Sequence, residues 1–188
     1  MDKRICVLLA PGYEEIEALT PVDYLRRAGA MVDIVSTTEE ITVPSAHQVL
    51  VQADTFLDDI KSDDYEMVVI PGVPNLIANE KVMTFLKEMH DKTKWVTSLC
   101  AGPAVLDAAG ILAGKATTCY PGWEEKLKNI GSFSEDTVVV DGHVITARGA
   151  GAAGYFALAL VEQLFGAEKA SEVKSAVVMD IVEKNLGL

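Results

Sequence analysis

Apolar residues fall in two rhythms along this chain. Unbroken runs occur at Ile5–Ala10 and Met67–Ile70, as parallel strands buried on both faces require, and Met31–Ser36 and Trp95–Cys100 read as further strands. Between them the period lengthens to that of a helix. Val82, Phe85, Leu86 and Met89 share one face of Lys81–His90, and Ala152–Phe165 is a strongly apolar helix. Pro11-Gly12 turns the chain into an acidic helix start, Glu14-Glu15-Ile16-Glu17, and Thr20-Pro21-Val22-Asp23 reads as a second start that kinks or restarts this helix before it ends at Ala28-Gly29. Thr42-Val43 and Gln48–Val51 suggest a small hairpin, Ala116–Cys119 an extended piece and Trp123–Ile130 a short helix. Val138–Val140 and His143–Thr146 pair across Asp141-Gly142, a type I′ signal. Glu168 to about Glu183 is helical. Strands alternating with helices define an α/β sandwich around a mostly parallel sheet, in one domain spanning residues 1–188.

In such folds chemistry sits beyond the carboxyl ends of the strands. The loops there carry Glu14–Glu17, Gly72-Val73, Cys100, Cys119-Tyr120 and Arg148. Cys100 is the most informative of these. It ends a buried strand and opens a helix with Pro103 in its first turn, so Ser98-Leu99-Cys100-Ala101-Gly102 is the thiol version of a nucleophile elbow. Small neighbours let the sulfur stand clear of a tight corner. The helix N-terminus favours a thiolate, so the expected pKa lies below the free value of about 8.5. Glu14 and Glu17 share a helix face, and position alone does not choose between them. The N–H groups of Ala101 and Val73 are candidate oxyanion donors.

Composition narrows the function. Sixteen basic against 28 acidic residues, net −12, argue against nucleic acid and anionic membranes. No apolar run approaches the ~20 residues that cross a bilayer. The start Met1-Asp2-Lys3-Arg4 runs directly into a strand, leaving no room for a signal peptide. Three widely spaced cysteines without a C-x-x-C fit a reducing cytoplasm rather than a disulfide framework or a zinc site. Cys6, inside the first strand, is a packing residue. No phosphate loop, metal-spaced set or cofactor motif stands out. His143 falls beside a turn and His90 at a helix end, while His47 is placed to approach the site only from a partner subunit.

The blocks Val7–Glu17, Pro21-Val22-Asp23, Arg26–Gly29, Val69–Gly72, Cys100–Pro103, Thr117-Thr118, Thr146–Gly149 and Phe156-Ala157-Leu158 together resemble the ThiJ/PfpI superfamily, on the branch of the Parkinsonism-associated protein deglycase. The match runs from about Lys3 to Met179. The resemblance implies a flavodoxin-like three-layer sandwich, a homodimer, a reactive elbow cysteine at Cys100, and a carboxylic acid at Glu17 hydrogen-bonded to it. It places Arg27 and Arg148 near the site, Arg148 being expected to close the last loop through an ion pair. It also implies glyoxalase III or deglycase activity on small reactive carbonyls, without a cofactor.

Three departures stand out. Val73-Pro74 follows Gly72 where the family has a second glycine. Ala150 replaces a proline and is expected to open the pocket edge. Cys119-Tyr120-Pro121 replaces a histidine before proline, which removes the obvious general base and any Cys-His-Asp triad. Tyr120 is expected to face the pocket and bond an oxyanion through its hydroxyl. The alternative is that Cys119 faces Cys100 and forms a reversible disulfide. Beside the enzyme stand two other readings: a redox sensor whose cysteine is oxidised to sulfinic acid, and a structural dimer with a vestigial pocket.

Overall fold

The computed structural model describes residues 3–188, except the side chain of Pro74, so Met1 and Asp2 of the expected approach to the first strand lie outside it. Seven strands form the main sheet in the order β10-β11-β7-β6-β1-β2-β5. They are β1 (Arg4–Leu9), β2 (Met31–Ser36), β5 (Thr55–Phe56), β6 (Met67–Ile70), β7 (Trp95–Leu99), β10 (Val138–Asp141) and β11 (Val144–Ala147). Every pairing is parallel except β10 with β11. The four residues of β6 are all buried, as are the last five of β1 and the last four of β7, so the unbroken apolar runs are the sheet's centre.

Helices cover both faces. The chain steps from β1 through α1 (Glu15–Arg27) to β2 in one direction along the sheet, and from β6 through α2 (Glu80–Asp91) to β7 in the other. Right-handed crossovers therefore place α1 and α2 on opposite faces. α4 (Ala153–Phe165) packs beside α1, and α3 (Pro103–Ala108) runs from the end of β7. Small pairs β3 (Thr42–Pro44) with β4 (Leu50–Gln52), and β8 (Ala116–Thr117) with β9 (Ser132–Phe133), decorate the edges. Among the described residues no helix is long and apolar enough to cross a membrane.

Four elements differ from the sequence reading. α1 does not restart at Pro21: the helix is continuous, and the missing Pro21 N–H leaves the Glu17 carbonyl without its helical donor. Trp123–Ile130 is not a helix but one 3₁₀ turn, Glu124–Lys126. The buried carboxylate of Asp107 on α3 accepts from Lys128 N–H (2.8 Å) and Asn129 N–H (3.0 Å), and these bonds hold the following segment out of the helix. The terminal helical region splits into α5 (Ala167–Ala176) and α6 (Met179–Leu186) at Val178, whose φ is +64°. The β10–β11 turn is Gly142-His143, with Asp141 opposite Val144 and positive φ at Gly142 but not His143, the II′ pattern.

Candidate active site

The order of the sheet creates the crevice. Connections leave β1 and β6 in opposite directions, so their loops part at the carboxyl ends of these neighbouring strands. One loop leads into α1, whose first turn carries Glu17 with its side chain buried. The other is Pro71-Gly72-Val73. Gly72 N–H donates to Glu17 Oε2 at 2.7 Å and ties the two loops together. Glu14, the N-cap of α1, accepts from Glu17 N–H at 2.8 Å, so the two same-face acids divide the work: Glu14 caps and Glu17 points inward.

Cys100 follows β7, next to β6, and adopts φ +61°, a left-handed conformation that costs a non-glycine residue roughly 1–2 kcal/mol. Its backbone is pinned on both sides. Cys100 N–H donates to Ala147 O (3.0 Å), and Cys100 O accepts from Tyr120 N–H (2.9 Å). The small neighbours are required by space. A Cβ on Gly102 would lie 2.8 Å from Ile70 O and 2.9 Å from Leu99 O. A Cβ on Gly72 would lie 2.5 Å from Glu17 Oε2 and 3.2 Å from Cys100 Sγ. Carboxyl and thiol thus converge on one point, close enough for each to shift the other's hold on its proton.

Burial dominates the electrostatics. It pushes the Glu17 carboxyl up to about 7, against hydrogen bonds from Cys100 and from the N–H groups of Gly72 and Ala150 that favour the charged form. Burial, and then the negative charge of an ionised Glu17, push the Cys100 thiol up to about 12, while Ala101 N–H pulls it down. This runs opposite to the sequence expectation of a lowered thiol. The helix N-terminus is outweighed by desolvation and by like charge. Moving the proton onto Glu17 removes that repulsion and turns the acid into a donor, so the thiolate belongs to the form in which Glu17 is neutral.

The other candidates divide. Val73 is buried at the loop, and its N–H donates to no protein acceptor among the described residues. Ala150 opens the 3₁₀ turn Ala150–Ala152; its N–H faces Glu17, a donor that proline would lack, so this departure alters the acid's surroundings rather than simply widening an edge. Tyr120 is half-exposed at the rim, its ring against Gly149. Cys119 is a core residue, and its thiol donates weakly to Tyr120 O at 3.5 Å. All three cysteines are free. Arg148 makes no ion pair among the described residues; its guanidinium sits 6.0 Å from the Phe133 ring centre. Arg27 lies at the far end of α1, exposed and paired with Asp23 at 2.8 Å, away from Glu17 in this subunit.

Sequence reasoning missed one cluster. Donor atoms of Glu14, Glu15 and His47 lie within 4.8 Å of one another, although Glu14 is engaged as the cap and His47 Nδ1 is 2.9 Å from Glu15 Oε1. The signal was hidden because the β3–β4 hairpin brings His47 to the start of α1 only in three dimensions. A groove of about 850 Å³ runs along the Pro74–Ala78 turn, walled by Thr37, Phe56, Asp58, Asn79 and Lys81; none of the candidate residues lines it.

Fold and site together define a class: an α/β sandwich with a cysteine elbow facing a buried carboxylic acid across the sheet's switch point. The chain belongs to the DJ-1/PfpI family, whose model matches residues 3–163. It is 37% identical to the Parkinson disease protein 7 homolog of Danio rerio, over 94% of this chain and 97% of that protein. It is 31% identical to a protein of Pyrococcus abyssi named a deglycase, over 77% and 89% of the two chains. The crystal structure of Drosophila melanogaster DJ-1beta superposes with a TM-score of 0.90 at 36% identity, covering 95% of this chain and 98% of that one.

Proposed function

We propose that the protein acts on small reactive carbonyls, 2-oxoaldehydes above all, through Cys100 and Glu17. The observation that carries this reading is the shared position of a strained, pinned thiol and a buried carboxyl raised to about 7, a value suited to moving protons at neutral pH. Cys100 Sγ, as thiolate with the proton on Glu17, attacks the aldehyde carbon. The carbonyl π pair moves to oxygen, which takes the Glu17 proton, and a hemithioacetal forms. Glu17 then removes the proton from the former aldehyde carbon, the electron pair forming an enediolate whose charge sits on the second oxygen; Glu17 returns that proton to the neighbouring carbon while the hemithioacetal hydroxyl proton passes to the second oxygen, giving a 2-hydroxy thioester. Water hydrolyses the thioester to the 2-hydroxy acid and frees the thiol. The net change adds one water to the 2-oxoaldehyde and needs no outside oxidant. Ala101 and Val73 N–H groups are the donors for the transient oxyanion.

The acting unit in this proposal is a homodimer in a reducing compartment such as the cytoplasm, where three free thiols persist. Its face in this proposal includes α1 and the hairpin beside it. α4 turns Phe156, Leu160 and Val161 into the core, whereas Ile16 on α1 and Val49 and Leu50 on the neighbouring hairpin are exposed apolar side chains.

Methylglyoxal turnover to lactate tests the chemistry. Wild type should turn over, and Cys100→Ala should lose at least about 100-fold. No turnover by wild type, with mild peroxide adding two oxygens to Cys100, would replace the enzyme by the redox-sensor reading.

A further inference from the structure

Gly149 has no conformational reason to be glycine. Its φ of 161° and ψ of −166° are extended backbone that any residue adopts. The reason is space. A Cβ at Gly149 would stand 3.2 Å from Tyr120 Cδ2 and 3.8 Å from both Tyr120 Cε2 and Glu17 Oε1. The aromatic ring therefore rests on bare backbone, beside the buried carboxyl.

The backbone beneath that ring is held in place. Tyr120 N–H is bonded to the carbonyl of Cys100 at 2.9 Å, and Tyr120 O accepts from Trp123 N–H at 3.0 Å. Tyr120 is 50% exposed, so part of the ring faces solvent while the rest covers Gly149. A rigid apolar plate is thus anchored directly to the nucleophile's own residue and stands at the rim of its site. Neither its hydroxyl nor any charge is needed for it to act as a wall.

We propose that the Tyr120 ring sets the size of electrophile that reaches Cys100, with Gly149 as the seat that lets the ring lie close. The ring favours 2-oxoaldehydes with short side chains and excludes aryl or branched ones. As a statement about substrates this rests on the carbonyl reading above; as a statement about access to the thiol it does not.

The test separates the two. Purified full-length wild type, Tyr120→Ala, Tyr120→Phe and Gly149→Ala are labelled with N-ethylmaleimide and with N-(1-pyrenyl)maleimide, which share one reactive group and differ in bulk. Adduct formation at Cys100 is followed by peptide mass spectrometry, and circular dichroism melts confirm folding. Tyr120→Ala should raise the bulky-to-small rate ratio at least about tenfold, the scale on which a pocket wall discriminates. Gly149→Ala should raise it as well, because its new Cβ must push the ring outward. Tyr120→Phe should keep the wild-type ratio. An unchanged ratio in Tyr120→Ala overturns the proposal, as does an equal shift in Tyr120→Phe, which would assign the effect to the hydroxyl. The kcat/KM ratio for phenylglyoxal over methylglyoxal should move in parallel. If wild type turns over neither aldehyde while the labelling ratio still shifts, the wall stands and the carbonyl reaction falls.

Discussion

At the scale of single residues, the protein's chemistry is a question of where one proton sits. The reactive form, thiolate beside neutral acid, is a singly charged state of the Cys100–Glu17 pair. Its population follows the first ionisation of the pair, near the value of about 7 carried by Glu17, and not the thiol's own value of about 12. Alkylation of Cys100 by iodoacetamide should therefore rise with a midpoint near pH 7 and then level off before any further rise in strong alkali. A single rise starting above pH 9 would contradict this. Glu17→Gln keeps a donor and should retain much of the neutral-pH labelling; Glu17→Leu should lose about tenfold or more, and Glu14→Leu should leave the profile in place. Ala150→Pro removes one N–H that favours the Glu17 carboxylate, so the midpoint should move to higher pH. Proline is tolerated at the first position of a helical turn, and the extended Gly149 before it is compatible.

Between elements, the most consequential link is Asp107. α3 carries it away from the elbow, and its carboxylate fixes the Lys128–Asn129 segment through two backbone N–H groups. Removing the acceptor takes away a buried carboxylate that bonds two N–H groups on an otherwise exposed segment. Asp107→Ala should lower unfolding free energy by about 2–3 kcal/mol in urea titration, and should loosen the segment beyond the Glu124–Lys126 turn in hydrogen exchange. A stability change under about 0.5 kcal/mol would show that water replaces the carboxylate there. This link also explains why Trp123–Ile130 reads as a helix and is not one. The local pattern is helical, but a side chain 21 residues earlier, on another element, takes the N–H groups that a continuing helix would use.

For the whole molecule, the buried acid makes stability depend on pH. The Glu17 pKa rises from an ordinary 4.5 to about 7 on folding, so the folded state binds its proton more tightly than the unfolded chain does. That contribution is fully present below pH 4.5, declines as pH rises, and is lost above about pH 7; it amounts to on the order of 3 kcal/mol. The urea midpoint should be higher for wild type at pH 5 than at pH 8 through this group. Glu17→Gln, which has no proton to lose, should flatten that difference and gain stability at pH 8. If the variant keeps the wild-type slope between pH 5 and 8, Glu17 is not the group responsible. The exposed Ile16, Val49 and Leu50 face predicts a dimer mass in light scattering at micromolar concentration. Leu50→Glu should shift that mass toward the monomer.

The alternation of strands and helices, and with it a mostly parallel sheet, is legible along the chain, because buried parallel strands leave apolar runs and helices leave a 3.6-residue period. So is the elbow at Cys100, since a tight corner admits only small neighbours and those are consecutive in the chain. The pairing of Glu17 with Cys100 came from family likeness, because the helix face fits Glu14 equally well; the fold separates the two acids by spending one on a cap. The rest depends on how distant segments pack. Within the subunit α1 carries Arg27 a helix length from Glu17, Cys119 turns into the core while Tyr120 takes the rim, and His47 meets Glu15 across a hairpin. The direction of the thiol's pKa was likewise not legible. A helix terminus can be read along the chain, but desolvation and a facing carboxylate depend on residues far apart in sequence that share one buried point.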